Sequence, residues 1–134
     1  MTRRTLLGVL AGLALAPREA HAGSYLDRAA ILLDECRRGN DWLLAHLTDR
    51  ELATVQRELA EARLKAARKM QVPKEVVSAH PHLLLCLENA ERAAASAADG
   101  DQQGFFRFLR QCRDEEGLFK ALLTQLKYQL PAVK

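Results

Sequence analysis

Hydrophobic residues recur at intervals of three and four positions along most of the chain beyond residue 24. This spacing places them on one face of an α-helix, and no useful length of the strict alternation typical of a half-buried strand is present. The pattern predicts four amphipathic helices, at about 25–47, 49–70, 81–98 and 102–130. Because the joints between them are mostly short, we expect an all-α, antiparallel four-helix bundle with up-down-up-down topology.

Several residues mark where these helices begin and end. Thr48-Asp49-Arg50-Glu51 fits a capping box, in which a hydroxyl and a carboxylate three residues later satisfy free backbone amides. Val72-Pro73 ends the second helix because proline lacks an N–H donor. Pro81 suits the first turn of the third helix, and Asp99-Gly100-Asp101 closes that helix and caps the fourth. Gly39-Asn40 is a point at which the first helix can kink or divide.

The predicted core consists of one apolar stripe from each helix. The stripes of the first two helices are Leu26, Ala29, Leu33, Cys36, Leu43 and Leu47, then Leu52, Val55, Leu59, Ala62 and Ala66. Those of the third and fourth are Leu83, Leu84, Leu87, Ala90 and Ala94, then Phe105, Leu109, Cys112, Phe119, Leu123 and Leu126. Asn40 falls within the first stripe, and Cys86 lies on the flank of the third.

The first 22 residues have the organisation of an export signal. Arg3 and Arg4 precede an apolar run over 6–16, and Ala20 and Ala22 place small residues at the two positions that a signal peptidase reads. Eleven apolar residues, at about 1.5 Å each, span only about half of a roughly 30 Å hydrocarbon core, so we expect no stable membrane insertion. The sequence predicts a cleaved signal peptide.

The predicted signal, Thr2-Arg3-Arg4-Thr5-Leu6-Leu7 with its apolar run diluted by glycine and alanine, resembles a twin-arginine export signal. That resemblance implies a protein exported already folded, to the periplasm or the exterior, often with a cofactor loaded or a partner attached. An ordinary secretory signal that starts with two arginines is the alternative. The predicted organisation is thus a signal peptide over 1–22 and a helical bundle domain over 23–134, whose sequence resembles no family that we recognise.

Most of the net positive charge belongs to the predicted signal. The whole chain carries a formal charge of +3, but residues 1–22 contain three arginines and one glutamate, which leaves 17 basic and 16 acidic residues in the domain. No strong electrostatic footprint for nucleic acid remains.

Three cysteines are predicted to lie at one level of the bundle. Cys36 lies eleven residues before the end of the first helix, Cys86 twelve before the end of the third, and Cys112 ten after the start of the fourth. In an up-down-up-down bundle these three helix ends share one end of the molecule. At about 1.5 Å per residue, the three sulfurs are therefore expected within a few ångströms of one level.

Three interpretations of these cysteines remain open. The first is a disulfide between Cys36 and Cys112, which leaves Cys86 reduced. The second is that all three are small apolar core residues. The first and second interpretations imply no cofactor. The third is a thiolate site for Cu(I) or Zn(II). Its fourth ligand would be His82, one helical turn before Cys86, or Glu116, one turn after Cys112.

The third interpretation is similar to what copper-storage proteins do. These are twin-arginine-exported four-helix bundles with thiols in the core, so the resemblance implies Cu(I) bound inside the bundle. They carry a dense array of cysteines, however, whereas this chain has three and no Cys-x-x-Cys pair.

Motifs for the common enzyme classes are missing from the sequence. It contains no Glu-x-x-His pair for a di-iron centre, no Cys-x-x-Cys-His for covalent haem, and no P-loop, GxSxG or HExxH motif. Leu47-Thr48 before a capped helix resembles the leucine-threonine motif of periplasmic helical chaperones, without the glutamine that completes it. We therefore expect a non-catalytic exported protein that binds a protein partner or client. The alternatives are a metal-binding bundle and an accessory subunit exported with a folded enzyme.

Overall fold

Four α-helices in a computed structural model pack as an antiparallel, up-down-up-down bundle, as the sequence predicted. The structure describes the backbone of residues 3–133 and the side chains of residues 22–133. The helices are α1 Arg3–Ala45, α2 Arg50–Arg68, α3 His80–Ala98 and α4 Gln102–Gln125, with a short 3-10 turn at Lys74–Val76. Residues 3–133 contain no strand. Of the helices described, none is both long and apolar enough to cross a membrane.

The predicted export signal lies outside the described side chains. Arg3, Arg4 and Ala20 belong to that part of the chain, and only Ala22 of the predicted signal residues is described, as a buried residue of α1. Export of the protein stays a prediction.

Two predicted helix boundaries are wrong. The N-cap of α2 is Asp49 rather than Thr48, since the Asp49 carboxylate accepts a hydrogen bond from the Leu52 amide at 3.0 Å. Helix α4 ends at Gln125, five residues before the predicted end. Lys127 adopts a left-handed conformation with φ of 65°, and the Tyr128 amide bonds back to the carbonyl of Leu123. This closure is usually built on glycine, so the sequence did not reveal it.

The apolar stripes predicted for α1, α3 and α4 face the core, with few exceptions. Helix α1 runs unbroken through Gly39 and Asn40. Cys86, predicted on the flank of its stripe, is fully buried, whereas Leu126, predicted in the core, is exposed.

The stripe predicted for α2 is wrong. Val55 and Leu59 are 51% and 46% exposed, and the buried residues of this helix are instead Ala53, Ala60, Leu64 and Ala67. The three alanines recur every seventh position, and two of them, Ala53 and Ala67, lie in hydrophobic clusters with alanines of α3. Small side chains let two helix backbones approach closely, so α2 packs through its alanines and turns its larger apolar residues outward.

A buried tyrosine–histidine pair joins three helices. The hydroxyl of Tyr25 on α1 lies 2.8 Å from Nδ1 of His80 at the start of α3. A hydrogen bond of the His80 ring with the backbone of Ala67 on α2 favours the protonated ring, and burial opposes it. Burial lowers the pKa of His80, which keeps the ring neutral.

We expect the free energy of unfolding to fall as the pH drops below about 6.5, the ordinary pKa of histidine. In the unfolded chain the His80 ring is protonated near pH 6.5, whereas in the folded protein it is protonated only at a lower pH. The contribution of the neutral ring to the free energy of unfolding is therefore complete above pH 6.5 and is lost as the pH falls from 6.5 through the lowered pKa of the folded protein. Urea titrations between pH 7.5 and 5 would measure this. His80→Gln should flatten the dependence, and His46→Gln, on an exposed ring, should leave it unchanged. An equal slope in both variants would contradict the assignment.

Candidate metal centre

The three cysteines meet in the interior of the bundle, as the level argument predicted. Cys36 comes from α1, Cys86 from α3 and Cys112 from α4, and all three are buried in one hydrophobic cluster. The Cys112 sulfur lies 3.6 Å from that of Cys86 and 3.9 Å from that of Cys36. All three sulfurs lie within 4.8 Å of one another.

The predicted disulfide between Cys36 and Cys112 is not present in the structure. All three thiols are free, and the sulfurs of this pair lie 3.9 Å apart, against about 2.05 Å for a bonded pair. The reason is the packing of the bundle, in which α1 meets α4 at the distance of side-chain contact.

The sulfur separations match those of a metal-thiolate centre. Three sulfurs at about 2.3 Å from one ion lie about 4.0 Å apart when the ion is in their plane, and about 3.8 Å apart at tetrahedral angles. The observed 3.6 and 3.9 Å bracket the tetrahedral value and approach the planar one. Cys36 and Cys86 lie within 4.8 Å of each other, so small side-chain shifts would bring the third separation to the same value.

The two residues predicted as a fourth ligand have other partners. Nδ1 of His82 lies 2.6 Å from a carboxylate oxygen of Glu115. Glu116 forms ion pairs of 2.7 Å with Arg37 and with Lys120. Among the side chains of residues 22–133, the cluster of metal-ligating groups consists of the three cysteines alone. The structure thus brings three of the five predicted ligands together, whereas His82 and Glu116 form ion pairs with other residues.

Asn40, which the sequence places within the apolar stripe of the first helix, lies against the sulfurs in the structure. Its side-chain amide donates to Cys112 at 3.5 Å and to Cys36 at 3.7 Å, and the residue is buried. The signal was present in the sequence, because Asn40 lies one helical turn after Cys36 on the same stripe. An amide that donates to two sulfurs favours their anionic form.

Comparison with known proteins gives no match. No family model fits the chain, and no curated protein or solved structure matches it.

The environment of the three thiols favours deprotonation of Cys112 over that of the other two. Bonds from Cys36 and Cys86, together with the amide of Asn40, lower the pKa of Cys112. Donation to Cys112 raises the pKa of Cys36 and of Cys86, and burial adds to both effects. Arg63 on α2 acts in the opposite direction on Cys36, because its positive charge favours the thiolate. The cluster therefore favours loss of the proton from Cys112 before the other two thiols, and the thiolate is the form of cysteine that binds metals.

Proposed function

We propose that this protein binds one Cu(I) ion through Cys36, Cys86 and Cys112 and holds it inside the bundle. The observation that carries the proposal is the convergence of three sulfurs, from three different helices, within 4.8 Å of one another, with Cys112 at the separation from each of the other two that one ion requires. Each thiol that binds the ion releases its proton to solvent.

The ligand set favours Cu(I) over Zn(II). Thiolates are soft ligands that suit Cu(I), whereas structural zinc is almost always bound by four protein ligands. The described side chains offer three sulfurs and no imidazole or carboxylate beside them. Zn(II) would have to complete its coordination with water in an apolar interior, while a monovalent d10 ion is satisfied by three thiolates.

The surroundings of the site support holding the ion rather than catalysis. All three sulfurs are buried, and the hydrophobic cluster around them consists mainly of leucine and alanine side chains, with Tyr25, Val76 and Phe119. With the export signal that the sequence predicts, the protein would hold or carry copper in the periplasm or outside the cell. A metal-loaded, folded domain is also the kind of cargo that the twin-arginine route transports.

Anaerobic titration with Cu(I), in competition with a chromophoric chelator, would test this proposal. We expect the purified protein to take up one equivalent and to show sulfur-to-copper charge-transfer absorption. X-ray absorption should then show about three sulfurs near 2.3 Å and no nitrogen ligand, because His82 is held by Glu115. Failure to compete with the chelator, or preferential uptake of Zn(II) with a nitrogen or oxygen ligand, would contradict it.

A further inference from the structure

Helix α2 carries a second apolar stripe that nothing in the described chain covers. Its members are spaced by alternating steps of three and four residues, as in the seam of a coiled coil: Leu52, Val55, Leu59, Ala62 and Ala66. Val55 and Leu59 are about half exposed, whereas Ala60 and Leu64 on the opposite face are buried. This outer stripe is therefore free to pack against another helix.

The outer stripe continues onto α1. Ile31, 48% exposed, and Leu32 line a surface groove together with Ala66 of α2 and Met70, which lies just after that helix. Exposed apolar side chains scattered singly are normal, whereas a contiguous row along two helices is typical of an interaction surface.

Charges beside the outer stripe are arranged so that the helix complements itself. Glu51 and Glu58 are exposed in the first half of α2 and Glu61 just after its midpoint, whereas Lys65, Arg68 and Lys69 are exposed at or just beyond its C-terminal end. Two basic residues of the first half have contacts within the chain. Arg50 donates to the Ala98 carbonyl, and Arg57 pairs with Glu61 and Glu91. A second copy of α2 running antiparallel would therefore bring acidic residues against basic ones.

We propose that the outer stripe of α2 binds a second copy of this chain, with the two α2 helices antiparallel. If Leu59 lies opposite Ala62 of the second copy, the heptad pattern places Glu58 beside Lys65 of the second copy, and the twofold axis generates the same pair again. The alanines at 62 and 66 allow the two backbones to approach closely. This dimer does not depend on the proposed metal, since the cysteines lie on the other three helices.

Sedimentation equilibrium of the purified protein over a range of concentrations tests the proposal. We expect a monomer–dimer equilibrium that Leu59→Glu weakens by about 100-fold, because an apolar contact is lost twice and replaced by charge. Leu118→Glu is the matched control, since Leu118 is 47% exposed on α4 and Leu59 is 46% exposed on α2. The control should dimerise as the wild type does.

Charge exchange tests the antiparallel register. Glu58→Lys and Lys65→Glu should each weaken the dimer about 5-fold, and the double variant should restore it, because the pair is re-formed with reversed signs. A protein that stays monomeric at every concentration would overturn the proposal, even if the stripe binds some other helix. The proposal would also be overturned if Leu59→Glu and Leu118→Glu lowered the dimer affinity equally, or if the double charge variant dimerised more weakly than either single variant.

Discussion

Loading with Cu(I) is expected to raise the melting temperature of the domain by about 10–15 °C. An ion that binds the folded state alone, at about 1,000 times its dissociation constant, stabilises that state by about 4 kcal/mol. For a domain of this size, each kcal/mol shifts the melting temperature by roughly 3–4 °C. The effect should be large because the three sulfurs belong to α1, α3 and α4, so that one ion ties together helices that separate on unfolding.

The size of this shift depends on how well the unfolded chain still binds the ion, since loose thiols retain some affinity for copper. Thermal scans with and without one equivalent of Cu(I), under anaerobic conditions, would measure it. Zn(II) should give a smaller shift, because the site lacks a fourth protein ligand. Stoichiometric uptake of copper with an unchanged melting temperature would place the ion outside the thiol cluster.

The fold and the meeting of the thiols could be predicted because α1, α3 and α4 each have one clear apolar stripe. In such helices the phase of the residues fixes which side faces the core, and the helix rise fixes their level. Cys36 and Cys112 lie on these stripes, so their approach follows from phase and level alone. Cys86 joins them although its predicted position was on the flank, because α3 is buried over a wider face than its leucines indicated.

Helix α2 could not be oriented in the same way because its sequence contains two apolar stripes. One has the larger residues, Val55 and Leu59, and the other has alanines with Leu64. Side-chain size favours the first as the core face. The alanine-rich surface of α3 selects the second, and that complementarity is a property of two helices that neither sequence segment contains alone.

The partners of His82 and Glu116 on other helices were equally out of reach of sequence reasoning, whereas the pair of Glu116 with Lys120 follows from their spacing of four residues on α4. Both lie one turn from a cysteine, which made them reasonable ligands. Each has a charged partner on another helix. His82 contacts Glu115 of α4, and Glu116 contacts Arg37 of α1. Spacing along one helix defines neighbours on that helix, but the pairing of charges across helices depends on the rotation of each helix in the bundle.

The thiols are compatible with an apolar core whether or not a metal is bound. A protonated cysteine behaves as a small hydrophobic residue, and the three lie in the same cluster as Leu33, Leu87 and Phe119. The bundle can therefore fold before it binds copper. A site that is preformed in this way loses little free energy to reorganisation when the ion enters.

Cys112→Ser is expected to lower the affinity for Cu(I) by at least about 100-fold. Cys112 has the shortest sulfur contact of the cluster and receives the amide of Asn40, so it is the central ligand. If a binding free energy of roughly 10 kcal/mol is shared among three sulfurs, losing one costs about 3 kcal/mol. Serine keeps the shape of the side chain but supplies a hydroxyl, which is a poor ligand for a soft ion.

A serine in the core also costs folding stability, and the matched control separates the two effects. Ala90→Ser places the same hydroxyl in the same buried cluster, one turn from Cys86, and leaves all three thiols intact. Both variants should lose about 1–3 kcal/mol in urea unfolding of the metal-free protein, because each buries a hydroxyl with uncertain partners. Only Cys112→Ser should lose copper in the chelator competition. Equal copper affinities in the two variants would mean that the ion is bound without the sulfur of Cys112, and the three-thiolate centre would be wrong.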